Sequence, residues 1–280
     1  MDIILTGIAR SGTTLSCSLL NKLPQCVALH EPMQPDELVD LRFPEAYMER
    51  IASFFAAQRA SLLSSGTAVT KARDGLVPDN SFSPPAEGTG LRVSNINGRE
   101  AHFQKRLLPD FRLVIKHPNF FTATLSTLLT RYSCYALIRN PLAVLLSWHS
   151  VKAPMNQGRL PAAEAFDSDL KSQLEAEPDR LGRQLIILRW YYTRYASLLP
   201  RDHVIRYEEL ISSGGSALAV IDPDAAGLNE ALASRNMNTL YDAGLVSHMA
   251  GRLLDDPSVY DAFYGQKEIE DLSKCWTQNI

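Results

Sequence analysis

The stretch from Ile3 to Leu15 constrains this chain more than any other part of it. Ile3, Ile4 and Leu5 read as a short buried strand. Gly7 opens a tight turn, and Arg10-Ser11-Gly12-Thr13-Thr14 leads into an apolar pattern at Leu15, Leu19 and Leu20. The order is strand, glycine loop, helix. Such a loop aims several backbone N–H groups and a helix N-terminus at one point, which suits a bound phosphate-like group.

The spacing of Gly7 and Gly12 matches the glycines of a P-loop. A nucleotide triphosphatase needs Lys after the second glycine to hold the outer phosphates. Thr13 stands there instead, and Arg10 lies inside the loop. The loop is therefore expected to cradle an anion without being an ordinary ATP or GTP site.

At 280 residues, 45% hydrophobic and 21% charged, the chain suits one large globular domain with insertions. Its formal charge of -3 implies no basic surface for nucleic acid. Cys17, Cys26, Cys134 and Cys275 show no C-x-x-C pairing, so a reduced, cytoplasmic compartment is expected. No signal peptide is expected ahead of the first strand, and no apolar run is long enough to span a bilayer.

Cys26 to Leu29 reads as a second parallel strand, ended by His30-Glu31-Pro32. Pro44 to Leu63 reads as a helix with an apolar stripe. Gly75 to Gly90 looks like a long surface loop, and Asn97-Gly98 within Leu91 to Phe103 is a hairpin signal. Residues 33–110 thus form an insertion between core strands. Phe111 to Ile115 is the next core strand, followed by Lys116-His117-Pro118 and a helix from Phe120 to Leu129. Tyr132 to Ile138 is a strand ending at Arg139-Asn140-Pro141, where Pro141 opens a helix running through Trp148. Leu181 to Leu199 is a strong helix, Val204 to Tyr207 a last short strand, and Glu208 starts a helix. Strands alternating with helices predict a three-layer α/β fold, its mainly parallel sheet flanked by helices in a P-loop-like topology. Ligands of such sheets bind at the strands' carboxyl ends, which places Glu31, Lys116 and Arg139 around the loop.

These separated pieces together resemble sulfotransferases that use 3′-phosphoadenosine-5′-phosphosulfate (PAPS). Arg10-Ser11-Gly12-Thr13-Thr14-Leu15 resembles the family's 5′-phosphosulfate loop. Tyr135 to Pro141, continuing to Ser147-Trp148, resembles its 3′-phosphate motif and keeps the interval from Arg139 to Ser147. Leu29-His30-Glu31-Pro32 resembles the segment bearing the catalytic Glu in tyrosylprotein and some carbohydrate sulfotransferases. Lys116-His117-Pro118 resembles a further active-site segment, and Arg206 to Leu210 one whose Tyr lies near the nucleotide. The resemblance extends from residue 3 to about 210.

The resemblance implies sulfuryl transfer from PAPS to a hydroxyl or amine, releasing PAP. Arg10, Ser11, Gly12, Thr13, Thr14, Arg139, Ser147 and Tyr207 would bind the donor. Glu31 would take the acceptor's proton, with His117 the rival base, and Lys116 would neutralise charge on the bridging oxygen. No metal is expected. A small-molecule, carbohydrate or peptide acceptor is expected, its site shaped by residues 33–110 and 152–200. The remaining readings are a P-loop kinase, which needs the missing Lys and a magnesium-binding Asp, and a non-catalytic PAP-binding protein.

Overall fold

The computed structural model describes residues 1–39, 43–88, 90–236 and 241–277. Its strands in chain order are β1 (Asp2–Gly7), β2 (Cys26–His30), β3 (Thr67–Ala72), β4 (Phe82–Pro85), β5 (Arg92–Ser94), β6 (Asn97–His102), β7 (Arg112–Lys116), β8 (Ser133–Ile138) and β9 (Val204–Arg206). Five of them form one parallel sheet in the order β2-β7-β1-β8-β9. The expected α/β class and its parallel sheet are thus observed.

Both faces of this sheet are buried, which explains why its strands read as unbroken apolar runs. On β1, Ile4 packs into one layer while Ile3 and Leu5 pack into the other. On β7, Leu113 and Ile115 face the first layer and Val114 the second. The first layer is built from the helices Pro44–Ser65, Pro141–His149 and Arg180–Leu198, which bury Phe55, Trp148 and Tyr191. Helix Thr13–Leu20 covers the second with Cys17, Leu19 and Leu20. Among the described residues no helix is long and apolar enough to cross a membrane.

Register decides where the chemistry gathers. Leu5 and His30 both pair with Lys116, Gly7 pairs with Leu137, and Ile138 pairs with Arg206. The chain therefore leaves β2, β7, β1, β8 and β9 along one edge, carrying Glu31, His117, Ile8, Arg139 and Tyr207 with it.

The insertion departs from its sequence reading. Asn97-Gly98 is no hairpin turn: both residues lie in β6, where Gly98 pairs with Lys71 and Asn97 with Ala72 of β3. A two-residue Asn-Gly turn needs positive φ at both central positions, and here antiparallel pairing with a distant strand holds the segment extended instead. The expected loop Gly75–Gly90 contains β4, which pairs with β5 as Phe82 opposite Ser94. The helix expected over Phe120–Leu129 is two short ones, Pro118–Ala123 and Leu125–Leu128, which meet at Thr124. The C-terminal part carries longer helices than the sequence suggests, Ala243–Asp255 and Gln266–Thr277.

Candidate active site

The loop after β1 is held by its carbonyls. The indole Nε1 of Trp148 donates to Ala9 O at 2.9 Å, and Arg139 Nη1 donates to Arg10 O at 3.0 Å. Ser11 is fully buried, and its hydroxyl donates to Ile8 O at 2.6 Å and Leu137 O at 2.8 Å. With these acceptors drawn inward, the amides at the start of helix Thr13–Leu20 are left for a ligand. No side chain among the described residues caps that helix, so its first turn keeps its unpaired N–H groups and partial positive charge.

Two glycines make this path possible. At Gly7, with φ +144, an added Cβ would stand 2.5 Å from Leu137 O, inside the β1–β8 ladder. At Gly12, with φ +90, it would stand 2.8 Å from the Tyr207 ring. Arg10 also lies in the left-handed region, at φ +76. That conformation costs a non-glycine residue about 1–2 kcal/mol, and here the carbonyl contacts of Ala9 and Arg10 sustain it.

Guanidinium groups crowd the loop. Arg10 donates from Nε to Ser147 Oγ at 3.2 Å and from Nη1 to Asn80 Oδ1 at 3.4 Å, and it stacks on Phe82. Burial, then the neighbouring cations Arg92 and Arg139, push its pKa down to about 9, still protonated at neutral pH. Burial and Arg235 likewise lower Arg92. Arg139 lies over the Tyr207 ring and is 5% exposed. Besides Arg10 O, it donates to Arg235 O at 2.6 Å and Asn236 Oδ1 at 2.7 Å. Clustered cations that depress one another are relieved by an anion.

A second group sits at the ends of β2 and β7. Lys116, 2% exposed, reaches Glu31 Oε1 at 2.8 Å, and Lys71 of β3 reaches Glu31 Oε2 at 2.8 Å. Burial alone would raise the Glu31 carboxyl, but the Lys116 and Lys71 ammonium groups hold it well below the usual carboxylate range. Its backbone too is left-handed, at φ +44, and its amide donates to Lys116 O at 2.8 Å. Burial, followed by Lys116, keeps His30 well below the usual imidazole range. Neutral His30 accepts from Lys116 at Nδ1 (3.2 Å), which leaves Nε2–H to donate to Ser81 Oγ at 3.3 Å. Ser81 meets Thr14 Oγ1 at 3.1 Å. A continuous polar chain thus runs from the helix start through Ser81, His30, Lys116 and Glu31 to Lys71.

Both groups line one cleft of about 1020 Å³. Ligand pockets span roughly 300–1000 Å³, so this one stands at the upper end of that range. Most of the sequence-selected residues meet here: Arg10, Gly12, Thr13, Thr14, Glu31, Lys116, His117, Arg139, Ser147 and Tyr207 all line it. Three arrangements differ from a simple reading of the sequence. Ser11 spends its hydroxyl on the protein, Ser147 partners Arg10 rather than Arg139, and His117 is locked. The His117 Nε2 accepts the Met33 amide at 3.2 Å, Phe120 and Phe121 stand edge-on to the ring, and burial pushes it down to about 3. Of the aromatics in the two expected acceptor segments, Phe82 lines the cleft, whereas Tyr191 is fully buried core.

Sequence reasoning passed over Lys71, Asn80, Ser81 and Arg92, all from the insertion. No apolar alternation in Thr67-Ala68-Val69-Thr70-Lys71-Ala72 marks Lys71, because polar Thr70 is buried there and Val69 is exposed. Arg235, beyond the stretch that the resemblance covers, also lines the cleft.

A scan against protein-family models finds no match, and a search of curated proteins finds none. Among solved structures, the sulfotransferase STF9 from Mycobacterium avium matches 100% of this chain and 76% of its own, at 16% identity and a TM-score of 0.36. A likeness at that level assigns nothing to this chain; its fold rests on the parallel sheet order, and its chemistry on the cleft.

Proposed function

We propose that this chain transfers the sulfuryl group of PAPS to a hydroxyl or amine acceptor and releases PAP. The observation that carries the reading is Lys116, buried and shared with the Glu31 carboxylate, in the same cleft as the arginine-lined glycine loop. In this reading Arg10 and the first-turn amides of helix Thr13–Leu20 hold the 5′-phosphosulfate. Arg139 and Ser147 serve the 3′-phosphate, beside Tyr207.

The reaction is an in-line displacement. The acceptor oxygen bonds to sulfur as the bond from sulfur to the bridging phosphate oxygen breaks. PAP keeps that electron pair, and the acceptor proton passes to Glu31. Positioning and charge stabilisation do most of the work, as in phosphoryl transfer. The pairing of Lys116 with Glu31 supports a coupled step. As the bridging oxygen gains charge, the ammonium turns towards it, and Glu31, losing that partner, becomes a stronger base when the proton must move. With its Nε2 lone pair already taken by the Met33 amide, His117 is the weaker candidate for the base.

Thermal shift with PAP, ADP and ATP, each with and without magnesium, tests the assignment. A ligand at about 100 times its Kd stabilises the folded state by about 2.7 kcal/mol. PAP is expected to raise Tm most, without magnesium. A larger, magnesium-dependent shift with ATP would replace this reading with a kinase.

A further inference from the structure

Beyond the reactive pair, the cleft wall changes character. Met33 and Pro35 follow Glu31 into it, and Phe120 follows Lys116. Ile96 joins from the segment between β5 and β6, and Met155 and Ala162 from beyond helix Pro141–His149. All are apolar, and none carries charge. The polar residues among them are neutral: Gln34 is exposed, Asn119 accepts from the Tyr191 hydroxyl, and burial keeps His117 uncharged at neutral pH.

The cations that line the cleft gather on its loop side and at Glu31: Arg10 and Arg139 serve the loop, Lys71 and Lys116 share Glu31, Arg235 faces Asp79 at 3.8 Å, and Arg92 gives its Nε–H to Ser83 O at 3.0 Å. An acidic peptide or a sulfated saccharide lying against Met33, Phe120 and Met155 would meet an apolar wall, away from the lysines that share Glu31. Desolvating unpaired charge there is unfavourable. Apolar surface, by contrast, gains from leaving water.

We infer that the acceptor is an uncharged molecule that presents one hydroxyl on an apolar body, such as a phenol or a long-chain alcohol. The inference rests on the sulfuryl-transfer reading. In it the apolar body lies against Met33, Phe120 and Met155, and the hydroxyl points at Glu31. Its oxygen bonds to sulfur, its proton goes to Glu31, and PAP departs with the bridging oxygen.

The experiment has two stages. Calorimetry first measures PAP binding to the full chain. 2-Naphthol, 1-octanol, N-acetylglucosamine, a sulfated disaccharide and an acidic tyrosine peptide are then titrated into the PAP-saturated protein, and PAP release from PAPS is measured with each. 2-Naphthol or 1-octanol is expected to bind, and to give kcat/KM at least about tenfold above the saccharides and the peptide, as one buried contact more or less is worth roughly 10–200-fold in discrimination. Ile96→Asp and Met155→Asp place charge on partly exposed wall positions, with Tm and PAP binding as folding controls. Each should lower kcat/KM for the apolar acceptor by about tenfold or more and leave PAP affinity unchanged. Preference for the peptide or a saccharide, no binding of either apolar compound, or indifference to both substitutions would overturn the inference while PAP binding persists. Failure to bind PAP would instead remove the sulfuryl-transfer reading beneath it.

Discussion

Replacing Arg139 separates two jobs that the sequence assigns as one. A guanidinium offers five N–H donors, and Arg139 gives one each to Arg10 O, Arg235 O and Asn236 Oδ1. The two that remain are the ones a 3′-phosphate would use. The contact to Arg10 O shapes the loop, which any 5′-phosphate needs. A hydrogen bond to a charged group contributes about 1.5–3 kcal/mol, and about 1.4 kcal/mol is tenfold in affinity. Arg139→Ala should therefore weaken ADP by roughly tenfold through the loop alone. PAP loses the same amount and its own phosphate contact, about 10²–10³-fold in all. Arg139→Lys keeps the charge without the fork, so PAP recovers in part while ADP stays weak. Calorimetry with both ligands on wild type and both variants, with Tm as a folding control, decides the matter. Unchanged ADP affinity would refute the pinning of the loop, and equal losses for PAP and ADP would refute the 3′-phosphate contact.

Glu31→Gln should lower single-turnover transfer by about 10²–10⁴-fold, the usual contribution of a general base, with PAP affinity within a few-fold of wild type. His117→Gln, whose Oε1 can replace Nε2 as acceptor of the Met33 amide, should retain most activity; the reverse pattern would make His117 the base. His117 also makes stability depend on pH. Its folded pKa of about 3 lies below its unfolded value, so it contributes stability above the ordinary imidazole range of about 6.5 that is lost as pH falls towards 3. His117→Gln should flatten the slope of unfolding free energy across that window in urea titrations, and an unchanged slope would count against a buried neutral ring. Gly12→Ala meets both positive φ and the Tyr207 ring; strain of about 1–3 kcal/mol predicts a measurable fall in Tm together with weakened PAP binding, and neither effect should appear alone.

The five core strands were legible because each is buried on both faces and bounded by polar or turn residues at its end. Cys26 to Leu29 followed by His30-Glu31-Pro32 shows both features, and the strand-end rule then placed Glu31, Lys116 and Arg139 together. The insertion was illegible for the opposite reason. Its strands are partly exposed, and β3 finds its partner in β6 some thirty positions away. The local Asn-Gly signal was therefore misleading, and Lys71 went unseen because it reaches Glu31 only through the packing of β3 on the end of β2, where the His30 amide donates to Thr70 Oγ1 at 2.8 Å. Nor does any sequence pattern reveal that Arg10 and Glu31 adopt left-handed backbones, since glycine is the usual marker of that region and both are charged residues.

The pinned carbonyls of the loop have a consequence for redesign. Trp148 and Ser147 on helix Pro141–His149, and Arg139 just before it, all grip Ala9 or Arg10. The loop is thus fastened at three points to the helix that follows β8 and the residues leading into it. Lys71, Ser81, Phe82 and Ile96 face the same cleft from the β3–β6 insertion. In the sulfuryl-transfer reading, new side chains on this ribbon would change what enters opposite the loop only where Asn80, Ser81 and Phe82 are kept, because these three hold Arg10 and Thr14 in place.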